Sequence, residues 1–402
     1  MPRHLRHRLP LLLATCGTLA LSLGAQPVTP EMLVSKKFFT DQQLAALATP
    51  ITGVRTTEGL VPGLFPIRAT GVSTAPIRAA ARAFLHVLSP SQLIRTVFAV
   101  DDAEWRRWSN VDNGIYVRQG VSLREMTAVQ RGAAMALMRT SLSARGITNS
   151  AAIMKTDQTL REINNDSLSY GEDLYFFTLM GIPSDTEPWG WQIDGHHLVI
   201  NFFVLGDQVV MTPMFMGGEP TVTSTGRYAG SSVMQAEQNM GVAFMRSLDS
   251  TQRNTATLSP TKPFDDIKAQ ADKDNLVLDY AGIRASALTT AQKAQLVQLI
   301  GLYVGNMRDD HARVRMSEIA AHLDETYFAW VGGTSDTDVF YYRIHSPVAL
   351  IEFDHQRPVG IRTGNRPSRT PTRAHIHVVV RTPNGNDYGT DLLRQHLAKH
   401  KH

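Results

Sequence analysis

Two pairs of histidines have a spacing that can do chemistry: His196-His197, which follows Asp194-Gly195, and His375-x-His377 in the run AHIHVVVR. Side chains alternate across a strand, so His375 and His377 project to one face together with Val379 and Arg381. Ala374, Ile376, Val378 and Val380 form the opposite, apolar face. Two imidazoles at i and i+2 can bind one metal ion through their neutral ring nitrogens. The same parity separates the first pair. His196 aligns with Leu198, Ile200 and Phe202, as a core or supporting residue does, whereas His197 aligns with Val199 and Asn201 on a more polar face.

Two acids join these histidines as candidates. Glu352 interrupts an apolar strand, where a carboxylate is costly unless it is paired, hydrogen-bonded or bound to metal. Glu219 lies in MGGEP, after the strand that follows the histidine pair. His197, His375 and His377, with His196 beside them, therefore form a candidate metal set, and Glu352 and Glu219 are the candidate catalytic carboxylates. Such a set suits zinc, with three protein ligands and a water. Copper is the alternative ion, since imidazoles with the thioethers of Met211, Met214 and Met216 suit it. Two metal-free readings stand beside these: a structural histidine cluster, and a polar site with His375 or His377 as general base. Asp387 can orient a ligating imidazole, while His311 and His322 read as surface or capping residues. Trp189 and Trp191 share a strand face and suggest a different class, a non-catalytic protein that stacks carbohydrate on an open aromatic platform.

Other chemistries are excluded. The chain has no GxSxG elbow, GxxxxGK phosphate loop, GxGxxG turn or HExxH helix. Its first residues, MPRHLRHRLPLLLATCGTLALSLGAQ, combine a basic start, an apolar run and small residues, as a secretory signal peptide cleaved near Ala25 does. The expected product is secreted or periplasmic. Cys16, the only cysteine, goes with the signal, which leaves no disulfide, thiolate nucleophile or cysteine-ligated metal. Loss of Arg3, Arg6 and Arg8 takes the formal charge from +4 to +1, so nucleic acid is not an expected partner. Nor is a membrane expected once the signal is cleaved.

The elements that must position these residues are legible in outline. Asp194-Gly195 between apolar runs predicts a hairpin joining Trp189–Ile193 to His196–Phe203, with Gln208–Phe215 as a third strand. The segment WQIDGHHLVINF is echoed by YRIHSPVALIEF, which sets Trp191 against Tyr342 and Asn201 against Glu352. Helical spacing predicts a short helix near Asp41–Leu47 in an irregular arm, then helices over Ala79–Leu88, Ser122–Ser143, about 149–163, Ser231–Leu248, Asp265–Asp274, Thr290–Met307, Val314–Leu323 and Asp391–Lys399. Arg357–Arg373, with five arginines and no acid, reads as a surface loop or a cover that recruits an anion. The expected fold is α+β: an antiparallel sheet or barrel-like core built from two β blocks, about 172–216 and 326–381, with flanking helices. Residues 26–402 are expected to form one domain whose N-terminal part, about 75–165, is helical.

The segments PWGWQIDGHHLVINF, TPMFMGGEP and HIHVVVRTPNGNDYG resemble the DUF3500 family, a domain of unknown function, across most of the chain after the signal. The resemblance supplies a family name and no mechanism. It brings no activity and no site residues.

Overall fold

In the computed structural model, residues 28–361 and 368–400 are described; the segment read as a signal peptide, with Cys16, and Arg362 and Arg366 lie outside them. The chain runs through the same series of elements twice. After α1 (Pro30–Leu47) come α2 (Ala75–Val87), α3 (Pro90–Thr96), β1 (Val97–Phe98), β2 (Val121–Ser122), α4 (Ala128–Ser141) and α5 (Ala144–Asn164). The strands β3 (Tyr175–Met180), β4 (Trp189–Gly195), β5 (Leu198–Leu205), β6 (Gln208–Val210) and β7 (Met214–Gly218) complete the first half. The second half repeats this order. It comprises α6 (Gln235–Ser247), α7 (Ser250–Ala256), β8 (Thr257–Ser259), β9 (Ile283–Arg284), α8 (Thr290–Val304), α9 (Asp309–Ala321), β10 (Tyr327–Gly332), β11 (Phe340–His345), β12 (Leu350–His355) and β13 (Ile376–Arg381). Helix α10 (Thr390–Lys399) closes the chain.

The strands form one sheet in the order β1-β3-β4-β5-β7-β13-β12-β11-β10-β8. This order is symmetric about the antiparallel β7–β13 pair, and each half ends in a short parallel edge strand, β1 on β3 and β8 on β10. The path has two ends, so the sheet is open and the barrel alternative falls. The echo between WQIDGHHLVINF and YRIHSPVALIEF is a real repeat: it equates the β4–β5 hairpin with the β11–β12 hairpin.

Local chemistry repeats as well. Helix α3 opens with a capping box of Ser89 and Gln92, and α7 with one of Asp249 and Gln252; α4 and α8 open with boxes of Thr127–Gln130 and Thr289–Gln292. Each box joins the N-cap side chain to an otherwise unpaired amide and the glutamine side chain to the N-cap amide. The glutamines then meet in pairs, Gln130 with Gln92 at 2.8 Å and Gln292 with Gln252 at 2.8 Å. Under the helices, Phe84 packs on Phe177 and Phe244 on Phe328 in corresponding places.

Several expected boundaries move. The arm holds an eighteen-residue helix, α1, opened by Thr29 and Pro30. The helix expected over Ser122–Ser143 starts only at Ala128, because Val121–Ser122 pair with β3 and Thr127 caps the helix. The third strand splits into β6 and β7 around Pro213, which has no N–H for a ladder. Asp265–Asp274 is not helical, so its amides stay free for other acceptors. The hairpin turn also shifts. Asp194 pairs with Val199 and Gly195 with Leu198, which leaves His196 and His197 as the two-residue loop. Trp189 and Trp191 are fully buried, with Trp191 stacked between Phe177 and Phe202, so the open aromatic platform does not exist.

Candidate metal centre

Strand parity does not apply to His197, because it sits in the loop in the left-handed region with φ 60°. Its carbonyl accepts from the Gly217 amide at 2.9 Å, which ties the loop to the end of β7. On the other side of β7, Gly217 is the register partner of His377 in β13. Glycine leaves the space above the strand open. A Cβ at Gly217 would stand 3.3 Å from the His377 ring, 3.4 Å from the His197 ring and 2.5 Å from the Ile376 carbonyl. His375 precedes β13 and reaches the same point, as the shared face of an i, i+2 pair requires.

The three Nε2 atoms converge. His197 and His375 are 3.2 Å apart, His375 and His377 2.9 Å, and His377 and His197 3.3 Å. Tetrahedral ligands at the usual zinc–nitrogen distance of 2.0–2.1 Å stand about 3.3 Å from one another, so this triangle has the size of one face of a coordination tetrahedron. All three residues are buried. Burial, reinforced by the neighbouring imidazoles, holds His197 and His377 well below the ordinary histidine range. Burial likewise lowers His375, against the pull of Glu219. Neutral imidazole is the form that coordinates metal. His375 Nδ1 donates to the Arg357 carbonyl at 2.7 Å, which leaves its Nε2 lone pair facing the other two rings. Three buried histidines thus form a group that can hold a metal ion. Among the described residues no further histidine, cysteine or carboxylate joins them.

The remaining candidates take other places. His196 is outside the triangle: its ring stacks on His197 at 3.8 Å and its Nδ1 contacts the Asp157 carboxylate at 2.6 Å. Asp157, on α5, also accepts from the Gly171 amide, and burial raises its pKa. Glu219 supports the site from behind. Its carboxylate accepts from the amides of Val359, Gly360 and Ile361 and lies 3.4 Å from His375 Nδ1. It therefore fixes the segment whose Arg357 carbonyl orients His375, and its oxygens are committed to that task.

Glu352 is bonded to other groups. It shares a sheet face with His377, yet its carboxylate accepts from the amides of Lys268 and Ala269 and from the Tyr341 hydroxyl. Asp354, register partner of His377, is likewise taken by Lys262 and the amides of Asp266 and Ile267. The cause is the non-helical 265–269 segment. A buried carboxylate needs donors, and here free amides supply them. Asp387 binds Arg381 and the Thr382 amide and orients no imidazole. Met214 and Met216 pair with Val380 and Val378, on the β13 face opposite His377, so no thioether from them reaches the site. His311 is buried, contrary to its surface reading.

Asp157, Gly217 and the Arg357 carbonyl are site components that the sequence reading misses. Gly217 lies inside the quoted TPMFMGGEP segment, so its signal was present. Asp157 sits in a helix with little hydrophobic contrast, and only its burial reveals it.

With this geometry in hand, the comparisons place the chain. The family described as "Protein of unknown function (DUF3500)" matches residues 70–390. This chain belongs to that family. The matched span includes both halves of the sheet and every histidine of the centre. Comparison with curated proteins and with solved structures gives no match.

Proposed function

We propose that this DUF3500 protein is a metal-dependent enzyme of the zinc type, hydrolytic, with His197, His375 and His377 as ligands. The observation that carries the reading is the convergence of three buried, neutral-held Nε2 atoms at tetrahedral spacing, with no fourth protein ligand among the described residues. Closed zinc sites use four protein ligands; a set of three leaves a position for water or substrate. An ion held there would polarise a carbonyl or phosphoryl oxygen and lower the pKa of a bound water toward about 7. His196, steadied by Asp157 and stacked on a ligand, is the residue placed to move protons. Glu219 acts as a positioning residue through His375, in place of the catalytic role expected for it. In this reading the protein works after export, in the periplasm or outside the cell.

Metal content of the signal-cleaved, untagged protein tests the proposal. One zinc per chain is expected. His377→Ala and His375→Ala should each lower zinc affinity by about a hundredfold or more, because two imidazoles cannot hold the ion tightly. Preference for copper over zinc, measured by competition, would replace the hydrolytic reading with an oxidoreductase. A folded protein that takes up neither ion refutes both.

A further inference from the structure

The repeat provides a counterpart to the metal centre, and that place is a cavity. The hairpin equivalence sets Pro347-Val348 where the first half has His196-His197; Ser346 bonds Ala349 there as Gly195 pairs with Leu198. Register carries the equivalence on to the next strand. Phe203 pairs with Val210 and its counterpart Asp354 with His377, so Val210 stands in β6 where His377 stands in β13. Val348 and Val210 both line a cavity of about 340 Å³, within the range of small-molecule sites.

Its wall is mainly apolar, with Phe65, Met211, Met214, Val304 and Met307 joining the two counterparts. One residue of the wall holds an unsatisfied polar atom. His311 on α9 is 2 % exposed and its Nε2 has no hydrogen-bond partner. A buried polar atom left unpaired costs free energy, which a ligand can recover. The charged lining residues oppose one another. Glu318 pairs with Arg68 at 2.9 Å and with Arg315 at 3.2 Å, and Asp207 caps the amides of Thr70 and Gly71. Two cations and two carboxylates leave no net charge to attract an ion.

We infer that this cavity is a second binding site, for a small, uncharged, mainly apolar molecule whose single hydroxyl group bonds His311. The duplicated scaffold thus carries a metal-type site in one place and an apolar ligand site in its counterpart. The inference is independent of metal binding.

The probe is 2-naphthol, with naphthalene and 2-naphthoate as comparisons, followed by fluorescence titration of the full signal-cleaved chain. Saturable one-to-one binding of 2-naphthol is expected, with naphthalene about tenfold weaker for want of the hydrogen bond and 2-naphthoate weaker again. His311→Leu should bring 2-naphthol and naphthalene to similar affinity. Met211→Trp should fill the cavity and abolish binding of both, with folding checked by near-ultraviolet circular dichroism. His377→Ala should leave 2-naphthol binding unchanged, which separates this site from the metal centre. No saturable binding by the folded protein, binding that survives Met211→Trp, or a preference for 2-naphthoate would each overturn the assignment.

Discussion

The two halves of the molecule share helices, capping boxes and hairpins, yet they differ where the hairpin loop meets the neighbouring strand. The first half offers His196-His197 to a bare Gly217; the second offers Pro347-Val348 beside a cavity. The centre is therefore made by neither half alone. His197 comes from the first, His375 and His377 from the second, and they meet across the β7–β13 junction. A duplicated scaffold supplies two positions of corresponding topology, and only one of them carries the three imidazoles.

The largest effect expected from disturbing this contrast is at Gly217. Gly217→Val would place carbon among the two rings and against the Ile376 carbonyl. It should abolish metal uptake and cost about 3 kcal/mol or more through overpacking, read by metal analysis and urea unfolding. Retained stoichiometric metal in this variant would contradict the geometry of the centre.

Glu352 and its counterpart Asn201 sharpen the comparison next. Glu352→Ala leaves the Lys268 and Ala269 amides and the Tyr341 hydroxyl unpaired, and should cost about 3–5 kcal/mol while metal affinity stays unchanged. Asn201→Ala loses the contacts to Gln192 and the Pro213 carbonyl, and should cost about 2 kcal/mol. Loss of metal in a folded Glu352→Ala protein would return that residue to the site.

The second half should add an acid sensitivity at two positions where the first half has no histidine. Burial lowers His345 and His355 to about 3, where the first half has Asp194 and Val204. Their folded pKa lies below the unfolded value, so the unfolded chain takes up protons that the fold refuses. Stability is unaffected above about pH 6.5 and falls as pH drops toward 3. Between pH 7.5 and 5.5 the two together should cost about 3 kcal/mol. Urea unfolding of the wild type and of His355→Asn at both pH values checks this: the variant should lose about 1.4 kcal/mol less than the wild type over the interval.

The smallest expected effects test the repeat itself. Gln130→Ala and Gln292→Ala each remove a capping-box contact and a bond to the partner glutamine, and should cost similar amounts, about 1–2 kcal/mol. The double variant should be additive, since the pairs lie in separate halves. Clearly unequal costs would show that the resemblance of the two helix pairs is not energetic.

What the sequence determined by itself was local. An i, i+2 histidine pair shares a strand face whatever the fold, and so His375 and His377 were readable as one site. Thr289 and Gln292 announced their helix because a cap is decided within four residues. The hairpin echo was legible because both strands of each hairpin are contiguous in the chain. The turn register was not, since Asp194-Gly195 and His196-His197 are both acceptable loops, and pairing to β3, β5 and β7 selects the second. Tertiary structure alone decided which carboxylate serves which donor. Glu352 had the right face and the right cost of burial, but a segment some eighty residues away in the chain brought free amides to it. Glu219 was claimed in the same way by the amides of 359–361. Buried charge goes to the donors that packing delivers, and sequence spacing does not encode packing.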